Sequence, residues 1–304
     1  MRTSLQNLID NAIILRYTLP TNVSGVEIPR SHISTADDHC LQQNGTNEDV
    51  AKIIYNGIVE YAYNDTEIHL PDLDHLQIRA LQSKLKYNPS APISTQLSYG
   101  FHGEVLLHLI LERFLGANKC IARGYLYSAL ENSETKGYDS YLMTEKNGII
   151  YLIFGEAKFY IDGYKSSVKM IFKNIDNALS DAYFHRNLLS LDNHFEKLNP
   201  SSRIREIITE WRDNPLINMA VCATKYNMHL VYPMLIILDD KANSYDELIL
   251  QIINHIYIYT KYGDINSTLS IPHTIFFIFF PIDDSREVKS KVLQWISSQQ
   301  PLEP

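Results

Sequence analysis

Asn147-Gly148 separates two apolar runs, Tyr138 to Met143 and Ile149 to Phe154. This dipeptide suits the two positive-φ positions of a type I′ turn better than any other, so the stretch predicts a β-hairpin with a two-residue loop. Lys146 then pairs with Ile149, and counting outward from the turn places Asp139 directly opposite Glu156. Cross-strand partners share a face, with Cβ atoms roughly 4.5 to 5.5 Å apart, and like charges so placed are destabilising unless something positive lies between them. A divalent cation is the economical answer. Side chains on a strand repeat with period two, so Lys158 lies on the same face as Glu156. The plainer alternative, a hairpin whose charges merely face water, fits poorly. Glu156 and Lys158 follow Ile149-Ile-Tyr-Leu-Ile-Phe154, a run typical of a strand buried on both faces.

A helix is predicted before the hairpin, from about Thr95 to Leu115 and ended by Gly116, with Leu107, Ile110, Leu111 and Phe114 as its buried stripe. Glu104 lies on that stripe, because the seven residues to Leu111 make nearly two whole turns. Two explanations stand together: the positive end of the helix stabilises this carboxylate, or it supplies a third acid to Asp139 and Glu156. His102 and His108 lack the i, i+4 spacing of a helical zinc pair and read as structural. A strand is expected from about Cys120 to Ala129. After the hairpin comes a helix from about Gly163 to His185, with Val168, Ile171, Ile175, Leu179 and Ala182 inward. Lys165, Lys169 and Lys173 recur along another face of it. Such a row is commonly only a solvated surface. Beside Lys158 it is also a candidate nucleic-acid-binding groove.

Further on, strands are expected at Ile217 to Ala223, His229 to Leu238 and His273 to Phe280. A helix capped by Ser244-Tyr-Asp-Glu247 buries Leu248, Ile252, Ile253 and Ile256, and a last helix covers Asp284 to Ser297. Residues 1–92 read as an N-terminal α+β region of unassigned role. Within it, Thr46-Asn-Glu-Asp49 caps a helix with Val50, Ile53, Ile54, Ile58 and Tyr61 inward, and a second helix carries Ile78, Leu81 and Leu85. Asn88-Pro-Ser-Ala-Pro92 is the expected boundary before a domain spanning 93–304. The layout is α/β with a mixed sheet.

A net charge of −8 argues against nucleic-acid binding through the whole surface and leaves room for a local basic groove. The chain opens with no secretory signal, and its apolar runs are far short of the roughly 20 residues that span a bilayer, so a cytoplasmic protein with no membrane partner is expected. Three scattered cysteines, Cys40, Cys120 and Cys222, suggest reduced core residues. No Gly-x-x-x-x-Gly-Lys loop is present, so any nucleoside triphosphate dependence belongs to a partner. The 20 tyrosines are evenly spread and read as packing residues before base-stacking ones.

A helix with Glu104, a strand, Asp139 and then Glu156-Ala157-Lys158 with a following helix resembles the core of the PD-(D/E)xK nuclease superfamily, in the order α-β-β-β-α-β. The wording Gly137-Tyr-Asp139 and Gly155-Glu-Ala-Lys158 is also similar to the HamA family, nuclease subunits of the Hachiman anti-phage defence system. The resemblance implies that Asp139, Glu156 and the Ala157 carbonyl bind Mg²⁺ or Mn²⁺, with Glu104 as the helix acid some members use. Lys158 is the implied catalytic cation. It implies a Mg²⁺-dependent deoxyribonuclease in complex with a HamB-like helicase. Tyr138 stands where the superfamily has its nominal Pro, and no Gln-x-x-x-Tyr motif of the RecB-like members is found. Two other readings remain: a nuclease-like scaffold or nucleic-acid-binding partner of a helicase, and an α/β enzyme of other chemistry.

Overall fold

The computed structural model describes residues 1–18, 39–128, 133–134, 137–161, 164–200, 203–214, 219–239, 244–262, 265 and 267–302. Its strands in chain order are β1 (Ile13–Thr18), β2 (His39–Gln43), β3 (Asn118–Lys119), β4 (Tyr127–Ser128), β5 (Ser133–Glu134), β6 (Leu142–Lys146), β7 (Ile149–Ile153), β8 (Glu156–Phe159), β9 (Met228–Asp239) and β10 (His273–Ile282). The α-helices are α1 (Thr3–Ala12), α2 (Asn47–Ala62), α3 (Leu73–Ser83), α4 (Ile93–Leu97), α5 (Phe101–Leu115), α6 (Tyr164–Ala178), α7 (Asp181–Asp192), α8 (Arg203–Asp213), α9 (Met219–Lys225), α10 (Tyr245–Tyr262) and α11 (Ser285–Ser298).

Eight strands make one mixed sheet, in the order β1-β2-β10-β9-β7-β6-β3, with β8 also paired to β9. β9 and β10 are its centre, run parallel, and read as near-continuous apolar segments because both faces are covered. Alternation along them sorts the side chains. Leu230, Tyr232, Met234, Ile236, Ile275, Phe277 and Phe279 join a core closed by α6 to α10, whereas Leu235, Ile237, Phe276, Ile278 and Phe280 join one closed by α1 to α5 and α11. Residues before Asn88-Pro92 therefore share the sheet and one core with residues after it: β1 and β2 form a sheet edge, and α2 packs on α5 and α11. Among the described residues no helix is long and apolar enough to cross a membrane.

Several predicted elements take the expected form. Asn147 and Gly148 both have positive φ, 55° and 73°, and the ladder runs from Lys146↔Ile149 to Leu142↔Ile153 in the predicted register. Thr46 and Asp49 form the capping box of α2, Ser244 accepts the N–H of Glu247 at the start of α10, and Gly116 ends α5 in the left-handed conformation.

Other expectations are corrected. The first hairpin strand begins at Leu142, not Tyr138. The predicted strand at Cys120 to Ala129 is a 3₁₀ turn over Arg123–Leu126 and the two-residue β4, with Ala129 outside the described residues. Gly124 lies there against the Ala62 backbone, where a Cβ would come within 2.5 Å of the carbonyl oxygen, and the chain must turn away. Ile217 to Ala223 was expected as a strand; Met219–Lys225 is helical, and residues 217–218 lie outside the description. Short apolar runs do not distinguish a buried strand from a helix facing the core. The helix expected at Thr95 to Leu115 is two helices, parted at Ser98 to Gly100. That expected from Gly163 to His185 is also two, because Ser180 caps a new helix by accepting the N–H of Tyr183, which leaves Ala182 exposed; Asp162 and Gly163 are outside the description. In α3 the buried positions are Leu73, Gln77 and Ala80 rather than Ile78 and Leu81.

A proline sets where β7 ends. β7 and β8 hold one constant offset against β9, Ile150↔Met228 through Ile153↔Val231 and again Glu156↔Met234 through Phe159↔Ile237, so they are one strand interrupted at Phe154-Gly155. Phe154 gives its N–H to the Val231 carbonyl at 3.0 Å, and in a parallel ladder its own carbonyl would take the N–H of residue 233. That residue is Pro233, which has none. A Cβ on Gly155 would lie 2.6 Å from the Pro233 carbonyl oxygen and 2.7 Å from its Cγ. Gly155→Ala is expected to destabilise the fold by about 1–3 kcal/mol, as overpacking against backbone does, seen as a lower midpoint in denaturant melts. A midpoint equal to the parent's would refute the close approach.

Candidate active site

Asp139, Glu156 and Lys158 meet where the hairpin leaves its ladder. Beyond Leu142 the hydroxyl of Ser140 takes over the pairing, donating to the Ile153 carbonyl at 3.3 Å and accepting the Gly155 N–H at 2.9 Å. Asp139 then straddles Glu156: its N–H donates to the Gly155 carbonyl at 2.9 Å, and its Oδ2 accepts the Ala157 N–H at 2.8 Å. The residues predicted to face each other are thus neighbours, held by a side chain rather than by a regular strand pair. The N–H and C=O of one strand residue lie on the same edge, so the Ala157 carbonyl is presented toward Asp139 as well.

Glu156 is held from two sides. Its Oε1 pairs with the Lys158 ammonium, and its Oε2 accepts the Tyr232 hydroxyl at 2.7 Å. Tyr232 belongs to the core on the α6 to α10 side, which places Glu156 and Lys158 on that face of the sheet. Ala157 and Phe159 point to the other face, where α5 crosses β8 with Gly103 against them; a Cβ at Gly103 would lie 3.1 Å from Phe159 Cβ.

Electrostatics follow from burial. The Asp139 carboxyl is pushed up to about 6, first by desolvation and further by Glu156, against the opposing pull of Lys158, the Ala157 N–H and Arg123. Burial alone would lower the Lys158 ammonium, but Glu156 and Asp139 hold it above the usual lysine value. The Tyr183 hydroxyl is raised to about 12 by burial and by the two carboxylates. Like-charge repulsion is therefore present, and desolvation is the larger cause.

Glu104 is placed elsewhere. Its Oε2 accepts the Tyr61 hydroxyl and its other oxygen folds back toward Gly100, on a helix that packs against the opposite face of the sheet from Glu156 and Lys158. Among the described residues no group of three or more His, Cys, Asp and Glu side chains is arranged to hold a metal ion, so any ion here depends on two carboxylates, a backbone carbonyl and water. Lys165, Lys169 and Lys173 are exposed along α6, the helix covering the face that carries Glu156. His102 and His108 are buried, and desolvation keeps both far below the usual histidine range.

Four contributors escape a motif reading: Ser140, Tyr232, Tyr183 and the buried Arg123. Arg123 alone carried a signal, as a charge inside Cys120-Ile-Ala-Arg-Gly-Tyr-Leu126. Tyr232 and Tyr183 are ordinary strand and helix residues, and Ser140 an ordinary residue just before β6, until the sheet is assembled.

These features define an α/β protein with a mixed, helix-flanked sheet that concentrates two acids and a lysine at a break beside its central strand. The HamA family model matches residues 24–296 of the 304, and the chain belongs to the HamA family. No curated protein and no solved structure matches it.

Asp139→Asn keeps an acceptor for the Ala157 N–H and removes the buried charge. An acid whose folded-state pKa is raised binds more protons folded than unfolded, so its ionisation costs stability increasingly as pH rises from about 4 to about 6. Asp139→Asn is expected to stabilise the metal-free protein at pH 7–8, by on the order of 1–3 kcal/mol, with the gain vanishing near pH 4. Melts in EDTA at the two pH values measure it; a variant less stable at pH 8 contradicts the burial argument.

Proposed function

We propose that this chain is a metal-dependent nuclease that hydrolyses DNA phosphodiester bonds on a PD-(D/E)xK-type core. It is the effector subunit of a bacterial Hachiman anti-phage complex, together with a helicase. One observation carries the reading: the Asp139 carboxylate, the neighbouring Glu156 carboxylate and the Ala157 carbonyl edge converge beside Lys158, with one acid ionising at cost. This is a hard-oxygen donor set, which fits Mg²⁺ or Mn²⁺. When bound, such an ion neutralises developing phosphorane charge and lowers the pKa of a water.

In this reading Asp139, Glu156 and the Ala157 carbonyl hold the ion. Lys158, beside Glu156, would orient the attacking water and offset charge on the scissile phosphate. Ser140 and Tyr232 are positioning residues, fixing Gly155 and Glu156. The exposed Lys165, Lys169 and Lys173 contact the DNA backbone, and a chain of net charge −8 relies on a helicase partner for the rest of its DNA affinity. Glu104 supports the fold through Tyr61 in this arrangement.

Plasmid cleavage by the chain with its helicase, in Mg²⁺ and in EDTA, tests the proposal. Asp139→Asn, Glu156→Gln and Lys158→Ala are each expected to cut at least on the order of 10²-fold more slowly. Full cleavage by Asp139→Asn overturns the assignment. Metal and proton compete for Asp139, so the Tm gain on adding Mn²⁺ is expected to be large at pH 8 and small at pH 5. A gain independent of pH means the ion binds elsewhere.

A further inference from the structure

On the opposite side of β8 from the two carboxylates lies a cavity of about 340 Å³, near the lower end of the roughly 300–1,000 Å³ usual for small-ligand sites. Its walls are the turn from α4 into α5, the run from Ala157 to Ile161, and the first turns of α11. Two of its lining residues, Arg286 and Lys289, bring positive charge to it and none is acidic, in a chain whose net charge is −8; Lys158 also lines it, but its ammonium pairs with Glu156. Ser94, Ser98 and Tyr160 add hydroxyl groups.

Lys289 is the unusual member. It is 2% exposed, and its ammonium donates to the carbonyls of Phe159 at 2.7 Å and Leu97 at 3.1 Å and stands 4.3 Å from the centre of the Phe159 ring. No carboxylate pairs with it among the described residues, nor with Arg286 one turn earlier, which is exposed at the rim. Two carbonyls leave one ammonium proton unassigned, and burial alone pulls the group down to about 8. A buried cation with only neutral partners is expensive unless an anion is bound beside it. The Glu104 carboxylate, which folds against Gly100, is held by Tyr61 and is not part of the cavity lining.

We infer that this cavity is a binding site for a phosphate group, held by the Lys289 ammonium within and the Arg286 guanidinium at the rim. Ser94, in the cavity wall, can donate its hydroxyl to a remaining oxygen, whereas Ser98 already donates to the Thr95 carbonyl at 2.7 Å, and a planar two-pronged guanidinium suits a phosphate at the mouth. The phosphate can be carried by the end of a nucleic-acid strand or be free in solution, and the two sources are separable by experiment. The site needs neither the carboxylates nor a metal ion.

Titration calorimetry of the full chain with inorganic phosphate in EDTA, at constant ionic strength set with chloride, tests it. Parent protein is expected to bind one phosphate, Arg286→Ala at least threefold more weakly, and Lys289→Met at least tenfold more weakly. Asp139→Asn should bind as the parent does, which separates this site from the nuclease reading. Arg286 is exposed, so its variant folds and decides the matter even if Lys289→Met does not. Competition between phosphate and a short oligonucleotide bearing a 5′-phosphate, but not its 5′-hydroxyl twin, assigns the site to strand ends. Absence of competition from either assigns it to free phosphate. No phosphate binding by the parent, or equal binding by Arg286→Ala, overturns the inference.

Discussion

The strand that carries the site is interrupted by one missing hydrogen bond. Pro233 stands in the central strand at a position whose N–H would point to β7, and its absence stops the β7–β9 ladder at Phe154-Gly155. The β10 side is untouched, because strand residues alternate the edge they serve, and the Phe276↔Pro233 pair continues an unbroken parallel register there. A proline in a central strand normally argues against the strand. Here the cost is confined to the edge facing β7, while Asp139 reaches the Ala157 N–H on the opposite edge of the interrupted strand, the one that faces away from β9.

On the other edge the β6–β7 hairpin ladder ends at Leu142↔Ile153, and a polar substitute for it has to be built. Ser140 supplies a hydroxyl to the Ile153 carbonyl and the Gly155 N–H, and Asp139 supplies a carboxylate to Ala157. Buried backbone groups need partners, so these side chains are as necessary to the fold as to any chemistry. Using a carboxylate for the purpose carries a desolvation penalty, visible as the raised Asp139 pKa. The nearby Lys158 charge offsets part of it directly, against the opposing charge of Glu156. Stability and function thus draw on the same three charges in opposite directions, as is common where titratable groups are gathered.

β8 is served from both faces. On one, Tyr232 and the α6 to α10 core fix Glu156; on the other, Gly103 of α5 lets the helix lie close to Ala157 and Phe159, and Lys289 of α11 takes the Phe159 carbonyl. This four-residue strand has a cationic cavity, walled by α4, its turn into α5, and α11, on one side and a carboxylate pair on the other.

Local rules read from the sequence account for much of this molecule. The Asn147-Gly148 turn, the hairpin register and hence the adjacency of Asp139 and Glu156, the caps at Thr46, Ser244 and Gly116, and the apolar central strands all follow from φ preferences, period-two alternation and capping chemistry, which act over a few residues. Tertiary structure decided the rest. Whether Met219–Lys225 is helix or strand, where the helix beginning near Tyr164 breaks, and on which face of the sheet Glu104 lies depend on what packs against them. Pairing of Tyr232 with Glu156 and of Lys289 with Phe159 joins residues far apart in the chain, through a sheet order that no local pattern encodes. Glu104 shows the difference most clearly: helical periodicity put it on a buried stripe, and it is buried, but only the assembled sheet determines that the stripe faces Tyr61 rather than the acids across β8.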